Sequence, residues 1–292
     1  MNVLVTGATG FLGSRIVRSL LADDHEVTIL KRSFSDTRRI ADVLGRVSAF
    51  DIDRCEPSTP FEGGRIDALL HAATCYGRKG ESAGELLDAN VLFPVRLMEH
   101  AACSGVKAFF NTDTFLPADL NGYALSKRQF RDWGRRIGKT LGIRFVNIRV
   151  DQFYGAVDDD TKFPLMVILK CLENVPELPL TEGIQKRDFI HVDDVVEAFL
   201  LLLRKRTGEG AILQEYDVGT GQPIRVREFV ETAHRLAGSR THLSFGAVPY
   251  RENEPMDLSQ NTAPLAALGW KCRIGLEAGI RSVIDSRKEG AR

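Results

Sequence analysis

The chain carries no excess of charge of either sign: 39 lysines and arginines stand against 39 aspartates and glutamates in 292 residues. No overall field therefore draws it to nucleic acid or to an anionic membrane, and neither is expected as a partner. Cysteine is scarce and unpatterned. Cys55, Cys75, Cys103, Cys171 and Cys272 are odd in number and form no C-x-x-C or metal-like spacing, so no disulfide framework and no metal site is expected. Such usage fits a reducing cytoplasm. Long apolar runs are also missing. "MNVLVTG" passes directly into a strand pattern without a leader-like segment, and the most apolar stretch, "VVEAFLLLLR" from Val195, is too short and too closely flanked by Asp193, Asp194, Glu197 and Arg204 to span a bilayer. A cytoplasmic location is expected. Internal repeats and low-complexity tracts are absent as well.

What the chain does have is rhythm. "NVLVTG", "EVTILKR", "RVSAFDI", "DALLHAA", "VKAFFNT" and "IRFVNIRV" are short runs rich in β-branched and aromatic residues, most of them separated by helix-length segments. Alternation of this kind predicts a doubly wound α/β fold with a parallel sheet. The connection "DRCEPSTPFEGGRI" is rich in proline and glycine and is not expected to hold a full helix. After about Gly155 prolines multiply and the pattern becomes mixed. The expected division is a dinucleotide-binding Rossmann domain of residues 1–155 plus about 187–205, and a smaller mixed α/β C-terminal substrate domain of residues 156–186 plus about 206–292.

Gly7, Gly10 and Gly13 follow the first strand and open an amphipathic helix. One such glycine permits the tight turn, one lets a pyrophosphate approach the backbone, and one lets helix and strand pack closely, with the helix N-terminus facing the anion. The second strand ends in Lys31 and Arg32, where an acidic residue would hold a ribose 2'-hydroxyl and repel a 2'-phosphate. Two cations there favour NADP(H) over NAD(H). Asp51 and Ile52, ending the third strand, are expected to line the adenine site.

Further along, "GYALSK" places Tyr123 and Lys127 four residues apart, about one helical turn, on one face. Together with the glycine loop, "HAAT" at 71–74 and "RDFIHVDDV" at 187–195, this pair makes the chain resemble the extended short-chain dehydrogenase/reductase family over nearly its full length. That family includes nucleotide-sugar epimerases, dehydratases and ketoreductases. Within it, "FFNTDTF", "YALSKRQF", "TKFPLMVILKCL", "EYDVGTG" and "RENEPM" are most similar to the CDP-abequose synthase group of CDP-sugar 4-ketoreductases.

The resemblance implies roles. Tyr123 is the acid or base at the substrate carbonyl, Lys127 holds the nicotinamide ribose and lowers the phenol pKa, and Thr112 bonds the substrate oxygen. Cofactor contacts are implied for Thr9, Phe11 and Leu12 in the glycine loop, for Ala72, Ala73 and Thr74, and in a supporting way for Asn90. Arg187 and Arg251 are implied to bind the nucleotide-sugar phosphates, with Lys162 and Phe163 leading into that site and Asp113 and Thr114 beside the sugar. A homodimer is implied through the helices of about Glu85–Ala102 and Tyr123–Leu141, with a nucleotide sugar as the other partner. Family members usually carry a longer loop between the threonine and the tyrosine.

Among the family's reactions, dehydration uses an Asp-Glu pair after the threonine, and here Asp113 is followed by Thr114, which cannot serve as that base. Lys31 and Arg32 then favour an NADPH-consuming 4-ketoreductase acting on a CDP-linked 4-keto-6-deoxy or 3,6-dideoxy hexose. Alternatives are an NAD-dependent nucleotide-sugar 4-epimerase and, more distantly, a non-catalytic NADP-binding regulator. Retention of both Tyr123 and Lys127 argues against the last.

Overall fold

The computed structural model describes residues 1–205 and 211–290. Its contacts form two compact units, Met1–Arg149 with Val196–Tyr216, and Val150–Val195 with Asp217–Arg292. The expected resumption of the second domain at about residue 206 lies outside the described residues.

In the first unit, β1 (Asn2–Thr6) leads through α1 (Phe11–Ala22) to β2 (Glu26–Lys31), then to β3 (Ser48–Asp51) and β4 (Ala68–His71). Between β3 and β4 lies only a single 3-10 turn, Thr59–Phe61, as the proline- and glycine-rich composition predicts. Next come α2 (Ala83–Leu87), a π-helical turn at Asp88–Leu92, α3 (Phe93–Cys103), β5 (Ala108–Thr114), α4 (Gly122–Leu141) and β6 (Arg144–Val150). The second unit begins with β7 (Gln152–Tyr154), α5 (Phe163–Glu173), β8 (Glu177–Leu180), β9 (Lys186–Arg187) and β10 (Phe189–His191). α6 (Val192–Arg204) and β11 (Leu213–Val218) carry the chain through the first unit's later segment. β12 (Ile224–Arg225), α7 (Val226–Ala237), β13 (His242–Phe245), α8 (Ala263–Ala267) and α9 (Leu276–Gly290) complete it.

The sheet order is β11-β6-β5-β4-β1-β2-β3, with β1 parallel to β2 and β4, β2 to β3 and β4 to β5. All six strands expected in the first half are present. The order reverses between β1 and β4, so a crevice opens at the carboxyl ends of those strands, where ligands bind in open α/β sheets. Phe109, Phe130 and Phe145 form the aromatic centre of the core beneath it, with ring centroids about 6 Å apart.

Two local features set up the site. α4 is capped by Asn121, whose side chain accepts from the Ala124 amide at 2.8 Å, and it ends at Gly142 in the left-handed region at φ 72°. The helix expected over Glu85–Ala102 is instead interrupted. Pro94 has no N–H for the Asn90 carbonyl, so the ladder fails there and Phe93 N–H reaches back to Asp88. The widened turn buries Asn90.

The second unit has its own core, in which Phe229 of α7 stacks on Phe189 at 4.2 Å and packs with Leu165, Val230 and Ile280. Three two-stranded pairings, β10 with β7, β12 with β9 and β13 with β8, surround it. Phe189 and the β10–β7 pairing explain why residues 187–195 group with this unit rather than with the first, and why the division falls at Arg149 rather than at 155.

Candidate active site

The glycine loop explains itself sterically. Gly7 has φ 68°, and a Cβ there would stand 2.5 Å from Ala73 N. At Gly13 it would stand 2.1 Å from the Gly7 carbonyl oxygen. Side chains are thus excluded where β1, the β4 exit and α1 meet. Gly10 caps α1 without a side chain, so the first amides of the helix face outward, a ready anion site. Thr9 stands beside it, and the side chains of Phe11 and Leu12 are buried, leaving their backbone as the contact surface. Ala72 N and Ala73 N donate to Thr6 O and Thr6 Oγ1, which locks "HAAT" against the loop. These residues fit a dinucleotide pyrophosphate.

At the end of β2 the two cations diverge. Lys31 forms an ion pair with Asp51, both partly buried, while Ile52 N donates to the Lys31 carbonyl at 2.8 Å. Arg32 is exposed, stands over the Phe34 ring at 4.9 Å, and meets no carboxylate among the described residues. Of the pair expected to meet a 2'-phosphate, Arg32 is the one with an uncommitted charge, because Asp51 neutralises Lys31.

The catalytic candidates gather where β5 ends and α4 begins. Thr112 Oγ1 is buried with no hydrogen-bond partner among the described residues. Tyr123 is half-buried and packs against Tyr76 at 5.0 Å between ring centroids. Burial pushes its phenol well above the usual range, and Tyr76 and Asp113 add to the shift, whereas Thr114 and Arg78 oppose it. Lys127 is not among the groups that shift the phenol in the protein alone. In the protein alone, desolvation dominates and the phenol keeps its proton.

Lys127 is buried to 3 % exposure, has no carboxylate within ion-pair distance among the described residues, and is shifted downward by burial, with Asp113 opposing. Beneath it His71 is held neutral by burial and by Lys127, and its Nδ1 shares a hydrogen with Thr6 Oγ1 at 2.8 Å.

Asn90 is the knot behind these groups. Its Oδ1 accepts from Cys75 N at 2.8 Å and Thr74 Oγ1 at 3.3 Å, and its Nδ2 donates to Cys75 O and to Ser126 Oγ. Ser126 in turn donates to the Tyr123 carbonyl at 2.8 Å. Sequence reasoning missed Ser126, although its place three residues after Tyr123 on the same helical face was the available signal. It also missed Tyr76 and Arg78, which no spacing links to Tyr123.

Asp113 is closely held. It is 4 % exposed and is bonded by Thr114 N at 2.8 Å and Asn147 Nδ2 at 2.9 Å, with Arg131 at 3.6 Å. It also lies near enough to Tyr123 and Lys127 to act on both electrostatically. Thr114 remains beside Tyr123.

In the second unit, Arg187 and Arg251 converge on Glu254. Arg187 is 5 % exposed and also donates to Lys186 O at 2.6 Å. Arg251 is exposed and meets Glu254 at 3.2 Å. Asp188 does not pair with Arg187, because it clamps the Thr220 and Gly221 amides instead. Lys162 binds Asp158 at 2.9 Å, and Phe163 packs against the core around Phe229.

A sequence model of the NAD dependent epimerase/dehydratase family matches residues 3–219. The chain belongs to that family. It is an NAD(P)-dependent oxidoreductase of the extended short-chain dehydrogenase/reductase type. Among family members similar to it are the CDP-abequose synthases of Salmonella muenchen, 31 % identical over 98 % of both chains, and of Salmonella typhimurium, 33 % identical over 97 % of both. The crystal structure of the UDP-glucose 4-epimerase of Thermus thermophilus in complex with NAD superposes with a TM-score of 0.85, at 25 % identity and 99 % coverage of each chain. Among the described residues no helix is long and apolar enough to cross a membrane, and no group of three or more His, Cys, Asp or Glu side chains is arranged to hold a metal ion.

Proposed function

We propose that the chain uses NADPH to reduce the 4-keto group of a nucleotide-linked, CDP-type 4-keto-6-deoxy or 3,6-dideoxy hexose, as a step in deoxysugar synthesis for glycans. The observation that carries this reading is Arg32 just after β2, exposed and meeting no carboxylate among the described residues, in a chain that also has Thr112 in β5 and Tyr123 and Lys127 on α4. Similarity to CDP-abequose synthases over nearly the whole chain supports the substrate class.

The chain's residues divide the work. Gly7, Gly10 and Gly13 receive the pyrophosphate, Arg32 the 2'-phosphate, and Lys127 the nicotinamide ribose. When bound, NADPH supplies the hydride that adds to the keto carbon. Thr112 Oγ1 donates to the carbonyl oxygen and orients it. Tyr123, whose burial keeps it protonated, transfers its proton to that oxygen as the C=O bond becomes C–OH. The buried ammonium of Lys127 then stabilises the phenolate. Arg187 and Arg251 are assigned to the substrate diphosphate, with Glu254 holding both in the meantime. The protein acts as a cytoplasmic homodimer, formed through the exposed Leu87, Leu92, Leu125, Trp133 and Leu141 on and around α2 to α4.

NADPH oxidation with CDP-, dTDP-, GDP- and UDP-linked 4-keto-6-deoxy sugars tests the proposal. The CDP-linked sugar should give the highest kcat/KM. The second reading, a 4-epimerase, is favoured by the structural likeness to a UDP-glucose 4-epimerase. Conversion of a nucleotide sugar with catalytic NAD and no net NADPH oxidation would establish it instead.

A further inference from the structure

The first unit carries a second concave feature, next to the catalytic arm and lined mainly by side chains to which no role has been given above. A cavity of about 180 Å³ is lined by residues 113–118, Ala124, Arg128, Arg131 and Arg149. No glycine-loop residue lines it, and it meets the catalytic arm through Thr114 and through Ala124, which follows Tyr123. The geometry points to a binding site for a compact phosphate dianion, either free or as the head of a small phosphate monoester.

Charge is the first reason. The lining holds three guanidiniums against one carboxylate, Asp113. Behind it Arg135 adds a cation, and Asp132 and Glu215 add two anions, so four positive charges face three negative ones. The carboxylates are also engaged unevenly. Glu215 is held by Arg135 at 2.9 Å and only at 3.6 Å by Arg149, and Asp113 is bonded by Thr114 N and Asn147 while Arg131 stands 3.6 Å away.

Hydrogen-bonding capacity is the second. Arg131 Nε is buried with no partner among the described residues, a costly state for a guanidinium donor. The Arg149 guanidinium stands over the Phe115 ring at 4.8 Å. Planar forks of this kind match tetrahedral oxyanions through paired donors.

Size is the third. About 180 Å³ is well above the roughly 10–15 Å³ that one water needs on the same measure, ample for a phosphate, whereas pockets for drug-sized ligands run from roughly 300 Å³ upward.

The test is calorimetric titration of the full chain, with its dinucleotide bound, by inorganic phosphate and separately by glycerol 3-phosphate, with ionic strength held constant by chloride. Saturable binding at this cavity is expected, distinct from any at the Arg187 and Arg251 pair assigned to the substrate diphosphate. Arg128→Gln and Arg131→Gln should each weaken it at least about tenfold, or 1.4 kcal/mol. Arg187→Gln and Arg136→Gln should leave it unchanged. Arg131 touches the buried Asp113, so Arg128→Gln, at a side chain exposed in the single chain, carries the same expectation without opening that buried pair, and its mass in solution is compared with wild type to show that assembly is unchanged. Tighter binding of the ion or of the monoester identifies the source. Absence of saturable binding, or binding lost in Arg187→Gln but kept in Arg128→Gln, overturns the site.

Discussion

Lys127 and Arg187 are both buried cations, 3 % and 5 % exposed, one in each unit. Their surroundings differ in one respect. Arg187 has Glu254 against it, whereas Lys127 meets no carboxylate within ion-pair distance among the described residues. A buried charge with a matched counter-ion contributes to holding its own region together, while one without a counter-ion opposes folding and persists where function requires it. The same contrast recurs at the end of β2, where Lys31 is neutralised by Asp51 and Arg32 is not.

The most severe break of the comparison is in chemistry. Tyr123→Phe should lower kcat by about 10²- to 10⁴-fold, the usual worth of a general acid, while dinucleotide binding measured by fluorescence stays nearly intact. Retention of most wild-type turnover would remove Tyr123 from the proton-donor role.

Stability separates the two cations directly. Glu254→Gln leaves Arg187 buried without its counter-ion and should cost about 3–5 kcal/mol in urea unfolding. Lys127→Met deletes an unpaired buried charge, so it should unfold no earlier than wild type although it loses turnover and dinucleotide affinity. If Lys127→Met were the less stable of the two, the contrast would fail.

A smaller effect is expected at the cofactor. Arg32→Asp should weaken NADPH at least about tenfold, or 1.4 kcal/mol, and NADH much less, because only NADPH carries a phosphate at that position. Equal losses for both dinucleotides, or a wild type that already prefers NADH, would return the epimerase reading to first place.

The smallest effect concerns pH. Burial raises the Asp151 carboxyl to about 7, with Arg187 and the Asp188 amide opposing. The folded state thus keeps a proton that the unfolded chain releases near about 3.9, and this contribution to stability is lost as pH rises from about 4 to about 7. Thermal melts of Asp151→Asn and wild type should coincide near pH 4 and separate by pH 7.5, with the variant the more stable. A constant gap would assign the difference to packing.

Much of the first unit was legible because its signals are local. Strand runs such as "NVLVTG", the tight spacing of Gly7, Gly10 and Gly13, and the Tyr123–Lys127 turn each span one element, and backbone geometry alone relates their members. The π turn at Asp88–Leu92 was locally encoded too, by Pro94, but a helical period runs through it unchanged. The second unit was harder. Its strands are two to four residues long, its contacts join distant segments, and Phe189 belongs to it only because Phe229, forty residues later, stacks on it.

By itself, then, the sequence determined the alternation of strands and helices, the glycine turn, and which side chains share a face of α4, since these follow from steric rules acting over a few residues. Only the tertiary structure decided which charges are matched. Asp51 reaches Lys31 across twenty residues, Glu254 reaches Arg187 across sixty-seven, and Arg131 and Arg149 reach one cavity from a helix and a strand. Coulombic and desolvation energies depend on distance and burial in space, and neither is set until the chain has folded.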